Sequence, residues 1–293
     1  MELLIQQTIS GMASGAIYAS LAVALVLIYR STEIVNFAQG EMAMFSTYIA
    51  WQLLQDGAPY WVAVGVTLVA SFVGGVAIER IVIRPMKRRS ELTIIIVTIG
   101  LFILINALAG FLWTFQVRGF PSPWVARNIT LGGVRVGLST LGILAVVALV
   151  VGALFLLFAR TRLGLVMRAA AENPESSRLV GIRVGWMLAL GWGLAATVGA
   201  LSGILVAPIL FLDPNMMLSV LIFAFAAATL GGFDSPLGAV VGGLIVGVSE
   251  NLAGTYVAAI GADLKIVVPI VIIVAVLLVR PQGLFGHARI ERV

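Results

Sequence analysis

Few residues in this chain are equipped for covalent chemistry. It has no cysteine and a single histidine, His287, near the C-terminus. Composition therefore excludes thiol catalysis, disulfides and thiolate metal sites, and it removes histidine acid–base or metal chemistry from the apolar segments. A Ser–Lys pair is the remaining nucleophilic option, and Lys265 is the only lysine besides Lys87. No G-x-x-x-x-G-K-[ST] occurs, so the chain lacks a P-loop and any ATP-driven work falls to another polypeptide. What remains is a set of polar residues within apolar runs: Asn36, Gln39, Glu41, Asn106, Asp213, Glu250 and Asn251. Such groups are costly at membrane depth, and they either bond neighbouring helices or line a pathway. For Asn36, Gln39 and Glu41 both readings stand, and Glu33 and Glu41 also fit interface depth. Asp213 and Glu250 are read near span ends. No span shows a central acid paired with a base, which argues against an ion-driven transporter.

The elements that hold these residues are helices for a bilayer. The chain is 61% hydrophobic and 11% charged, with a mean hydropathy of +1.11, against roughly 25% charged in a soluble domain. Its net charge of +5 is concentrated in a few loops, a topology signal rather than a nucleic-acid footprint. No basic residue precedes the first apolar run, so a cleaved signal peptide is not expected. Apolar runs are read at 5–29, 34–54, 61–83, 92–112, 141–159, 185–212, 217–230, 237–253 and 265–279. The run at 185–212 is read as broken by Pro208. The stretch 113–140 is too polar to span and is read as the largest external loop, with a short hairpin around 131–134. The expectation is an all-α polytopic transmembrane bundle of eight to nine segments, a single domain over 1–293, with the N-terminus outside and the C-terminus inside. On this map 14 of the 18 Lys and Arg lie inside, as the positive-inside rule requires.

The longest polar interruption, 160–185, carries helix signals. Asn173 before Pro174 suits an N-cap, Pro174 the first helical position, and Glu175 the positive end of the dipole. Gly181 suits the left-handed stop. The result is about two turns, roughly 10 Å, too short to span. It fits either a helix resting on the membrane surface or a peg that docks a cytoplasmic partner. Two small-residue patterns complete the reading: Gly11 with Gly15, and Gly231, Gly232, Gly238, Gly242, Gly243 and Gly247. Both suit close helix packing, and the second could also form a wall between two subunits of a pore.

Four blocks resemble one family: V-N-F-A-Q-G-E-M, R-A-A-A-E-N-P-E-S-S-R-L-V-G-I, G-G-F-D-S-P-L-G-A-V-V-G-G and R-P-Q-G-L-F-G. Together they resemble the LivH-type permease of branched-chain amino acid ABC importers. The resemblance implies a multi-pass subunit of a bacterial or archaeal cytoplasmic (inner) membrane, with no catalytic site and no cofactor. It implies a second homologous permease, two ATP-binding cassette ATPases and a periplasmic or surface-tethered binding protein as partners, and no nucleic acid. It implies that Glu172, Asn173, Pro174, Glu175, Arg178, Leu179 and Gly181 form the coupling helix to an ATPase. Asn36, Gln39, Glu41, Gly231, Gly232, Gly238 and Gly242 are read as pathway or packing residues. The expected cargo is leucine, isoleucine or valine, with urea, short amides or aromatic acids as the alternative within the family. An ion-coupled secondary transporter is the reading from another class.

Overall fold

The computed structural model describes residues 2–86, 89–124, 127–131, 134–261 and 263–286. Lys87 of the basic loop, Gly132 and Gly133 of the expected hairpin, and His287 in the tail lie outside the described residues. Within them the chain is helical apart from one β-hairpin and short connections. The helices are α1 (Glu2–Thr32), α2 (Gln39–Gln55), α3 (Tyr60–Ile78), α4 (Arg84–Met86), α5 (Glu91–Trp113), α6 (Leu138–Arg160), α7 (Arg162–Glu172), α8 (Pro174–Leu179), α9 (Val184–Leu210), α10 (Met217–Gly231), α11 (Pro236–Tyr256) and α12 (Val267–Val279). A π-helical turn, Glu79–Ile83, joins α3 to α4 without a break.

Six of these stretches are long and apolar enough to cross a membrane: Glu2–Thr32, Tyr60–Met86, Glu91–Trp113, Leu138–Arg160, Val184–Leu210 and Pro236–Tyr256. This is a polytopic membrane helical bundle. In α1 the residues from Ala16 to Ile28 are buried on every side, as expected of a helix that is apolar all round. By contrast α5 and α6 leave large apolar side chains such as Ile103, Phe111 and Leu149 exposed, the surface that lipid covers.

The described residues form two compact units. One comprises Met1–Val26, Trp124–Val147 and Ser219–Val293; the other comprises Leu27–Pro123 and Ala148–Leu218. In the first unit, α1 and α11 approach to backbone contact. A Cβ added to Gly243 would lie 2.5 Å from Ala19 Cα, and one added to Gly15 would lie 2.6 Å from the Gly243 carbonyl oxygen. Without a hydrophobic driving force in lipid, such helix pairs gain from close van der Waals fit, which only small residues permit. Strands β1 (Asn128–Leu131) and β2 (Val134–Gly137) pair antiparallel, with Leu131 opposite Val134. In the second unit the principal packing is α2 and α3 against α9. Buried side chains of α2 and α9, among them Tyr48, Met44, Trp192 and Ile204, form its core.

Three expectations are corrected. The second apolar run does not become helical at Ile34. Asn36 Oδ1 accepts from Ala38 N at 3.1 Å, and this local turn delays the helix to Gln39, as asparagine side chains do when they compete for backbone groups. The run at 185–212 is not broken by Pro208, because α9 continues to Leu210. Pro208 sits in the last turn, where only one helix bond is forfeited. The basic stretch 84–89, expected as a loop, begins in helix, since Arg84 lies in α4.

Candidate functional site

The stretch from Arg160 to Arg183 holds two helices. Thr161 starts α7: its hydroxyl donates to the Leu157 carbonyl at 2.5 Å and accepts from Gly164 N at 3.0 Å. α7 is amphipathic. Met167 and Ala170 are buried, and Ala170 packs with Val184 and Leu188 of α9. At its end Asn173 Oδ1 accepts from Ser176 N at 2.9 Å and caps α8, with Pro174 at the first helical position. Ser177, the buried residue of α8, donates to the Ala169 carbonyl at 2.9 Å and fastens α8 to α7. Gly181 has φ of 83°, a conformation that costs an L residue roughly 1–2 kcal/mol. Glu172, Glu175 and Arg178 are exposed. So are Leu179 at 88% and Val180 at 76%, two apolar side chains held out on a firmly anchored turn.

The turn after α8 leads straight into α9, whose first residues are gripped from the π-helical turn and α4. Arg84 Nη2 donates to the Gly185 carbonyl. The same guanidinium lies 3.4 Å from Glu79, which is fully buried. The Arg80 guanidinium sits 3.4 Å above the Trp186 ring, a cation–π contact. Gly185 leaves the room: a Cβ there would stand 2.6 Å from Arg84 Nη2. Arg80, in the π-helical turn, and Arg84, just after it, both reach the start of α9. π-bulges recur at functional positions.

The polar residues of the second run are buried in the second unit. Asn36 Nδ2 donates to Gln39 Oε1 at 3.2 Å, and Gln39 Nε2 donates to the Ala195 carbonyl of α9 at 3.0 Å. Glu41 is buried within the protein, 1% exposed. Its Oε2 accepts from Asn106 Nδ2 at 3.2 Å, and that amide also reaches the Pro214 carbonyl at 2.9 Å. Toward the end of α5, Tyr48 stacks on Trp113 with ring centroids 4.8 Å apart, and Trp113 donates to Gln52 at 3.1 Å. Arg118 donates to the Trp113 carbonyl, lies over Trp51 and pairs through its backbone with Leu212. Thr114 and Phe211, on either side of this clasp, both have left-handed backbones. Non-glycine residues hold such strain only where surrounding contacts fix it.

In the first unit Glu250 lies in the C-terminal half of α11. It accepts from the Tyr18 hydroxyl at 2.8 Å, while Tyr18 stacks on Phe223 at 4.6 Å. Gly231, Gly238 and Gly242 close α10 onto α11; Gly231 and Gly238 meet backbone to backbone, and Gly242 meets the Ala227 carbonyl. Gly232, at φ of 101°, lets the tail fold back: Leu284 N donates to Leu230 O at 2.7 Å and Phe285 N to Gly231 O at 3.1 Å. Two of the sequence blocks, the G-G-F-D turn and the R-P-Q-G-L-F-G end, are therefore one structural element. Among the described residues no cluster of metal-ligating side chains occurs.

Six membrane-length helices, with the α7–α8 elbow leading into one of them, make this chain a multi-pass membrane protein. The family model described as "Branched-chain amino acid transport system / permease component" matches residues 7–277, and the chain belongs to that family. It is 30% identical to the "High-affinity branched-chain amino acid transport system permease protein BraD" of Pseudomonas aeruginosa, over 99% of this chain and 98% of that one. It is 29% identical to the "High-affinity branched-chain amino acid transport system permease protein LivH" of Escherichia coli, over 99% of this chain and 97% of that one. Identity to the "Probable branched-chain amino acid transport permease protein LivH" of Methanocaldococcus jannaschii is 30%, over 91% and 87%. Among solved structures, "PsaBC from Streptococcus pneumoniae in complex with Fab" shares the fold, with a TM-score of 0.51 at 12% identity, covering 96% of this chain and 93% of that one.

Proposed function

We propose that this chain is the permease subunit of a binding-protein-dependent ABC importer for branched-chain amino acids. In this reading it works with a second, homologous permease, two ATPase subunits and an external binding protein. It forms one permease domain over 1–293, with 160–185 as the coupling loop. The observation that carries the mechanism is α8: a capped helix, tied to α7 through Ser177, that presents Leu179 and Val180. An apolar pair flanked by Glu172, Glu175 and Arg178 suits a groove on an ATPase. Closure of the nucleotide-bound ATPases would push α8, and the push would pass through α7 to α6 and through the Gly181 turn to α9. The absence of a P-loop in this chain fits a division of labour in which ATP is hydrolysed elsewhere.

Nine apolar segments, with the N-terminus outside and the C-terminus inside, fit this role. Six are of membrane length, and α2, α10 and α12, of 17, 15 and 13 residues, are short. The tail's hydrogen bonds to Leu230 and Gly231 support having the C-terminal ends of α10 and α12 on one side. The test is reconstitution. Proteoliposomes holding both permeases and the ATPases, supplied with ATP inside and the binding protein outside, should accumulate leucine, isoleucine and valine. Accumulation of leucine by this chain alone, driven by an ion gradient, would overturn the importer reading. Accumulation of urea or short amides, but not leucine, would overturn the substrate.

A further inference from the structure

A cleft of about 410 Å³, counted to its open mouth, lies in the second unit where four helices meet. Arg30 and Ser31 reach it from the last turn of α1, Phe158 from the end of α6, Arg168 and Ala171 from α7, and Gly191 from α9. Most of the wall is apolar. Both guanidinium groups belong to exposed residues, and among the described residues that line the cleft there is no carboxylate. At Gly191 the helices lie close: a Cβ there would stand in ordinary contact, 3.6 Å from Ser31 and 3.9 Å from Met167.

We propose that this cleft binds an anionic phospholipid, with the phosphate at Arg30 and Arg168 and the start of the apolar body against the wall. Guanidinium groups match phosphate oxygens in geometry and charge. An apolar wall adds nothing for a free anion, whereas an amphiphile uses both features. The surroundings favour lipid independently. α7 is amphipathic and carries Arg162 and Arg168 beside exposed Leu163 and Leu165, the pattern of a helix lying at the lipid–water boundary. α1 and α6, whose ends form two of the walls, are membrane-length helices, and basic pockets between such helices suit acidic headgroups. An occupied cleft would fix α7 against α1 and α9, and so firm the base on which α8 stands.

The test uses the full-length chain in mixed micelles holding equimolar phosphatidylglycerol and phosphatidylcholine with identical acyl chains. Lipid retained by the protein is read by native mass spectrometry, and circular dichroism verifies the fold of each variant. The wild type should retain phosphatidylglycerol in preference. Arg30→Gln and Arg168→Gln should each lower that preference roughly fivefold, and Arg168→Lys should keep most of it. Ala171→Phe, which fills the cleft and leaves both arginines, should abolish it. Equal retention of the two lipids by the wild type would overturn the proposal, as would an unchanged preference in the double glutamine variant. So would a preference that survives Ala171→Phe, which would indicate surface charge without a cleft. Displacement of the lipid by an equal concentration of inorganic phosphate would reassign the site to a free anion. The assay uses no ATP, cargo or partner subunit, so its outcome is separate from that of the importer reading.

Discussion

Arg84→Ala is the sharpest perturbation of the junction between the α7–α8 elbow and α9. The Arg84 side chain is 39% exposed, and its partner Glu79 is fully buried at 3.4 Å. A wholly exposed pair contributes about 0–1 kcal/mol, whereas breaking a wholly buried one costs about 3–5 kcal/mol. This pair lies between those limits. The charged bond to the Gly185 carbonyl belongs to a class that contributes about 1.5–3 kcal/mol, and it overlaps the same loss. The expected destabilisation is therefore about 2–3 kcal/mol. Glu79→Gln keeps the bond to Gly185 and should cost about 1 kcal/mol. If the two groups act as partners, the double variant should be less destabilised than the sum of the singles by at least about 1 kcal/mol. Unfolding in mixed micelles, followed by circular dichroism, measures all three. A double variant that equals the sum within about 0.3 kcal/mol would refute the pairing. The functional arm is separate. In the assembled importer, Arg84→Ala should raise the ATP spent per amino acid imported, because the start of α9 can yield when α8 is pushed. A folded, assembled variant with parental stoichiometry would show that the junction lies outside the force path.

Outcomes for five further variants are expected. Gly181→Val should insert and assemble but lower substrate-stimulated ATP hydrolysis, since the left-handed turn would be strained by roughly 1–2 kcal/mol; Asn173→Ala should cost about 1 kcal/mol of capping and act in the same direction. Gly243→Val should disrupt the α1–α11 contact, because its Cβ would stand 2.5 Å from Ala19 Cα; a large fall in unfolding midpoint is expected, and an unchanged midpoint would discount that packing. Tyr18→Phe should destabilise the first unit by about 1–3 kcal/mol, by leaving the Glu250 carboxylate without its 2.8 Å donor. Ser176→Cys, in a chain with no native cysteine, should resist an impermeant thiol reagent added outside sealed cells and react in inverted vesicles; the reverse pattern would invert the topology.

What the sequence disclosed depended on the range of the interaction. The ends of α8 were legible because cap, proline and stop act within eight residues, and Asn173, Pro174 and Gly181 perform those roles in place. α7 was missed although its signals were local. Thr161 caps it and Met167 and Ala170 supply a buried face, but its arginines made the stretch read as a polar interruption. The glycine patterns announced close packing, yet that Gly15 meets Gly243 is a fact of three dimensions that a single chain does not spell out.

The basic residues carry the wider lesson. Counted along the chain they are markers of orientation, and that count treats them as interchangeable. In the fold they are not. Arg84 bonds the carbonyl of a residue 101 positions away, Arg80 covers Trp186, and Arg118 covers Trp51 while holding the Trp113 carbonyl. Two of these contacts lay a planar, delocalised cation over an indole ring, a stacking geometry that lysine does not reproduce. The predominance of arginine in this chain, 16 of its 18 basic residues, is therefore more than a topology signal. At these three positions a guanidinium joins separate segments, by stacking on Trp186 and Trp51 and by single hydrogen bonds to the Gly185 and Trp113 carbonyls.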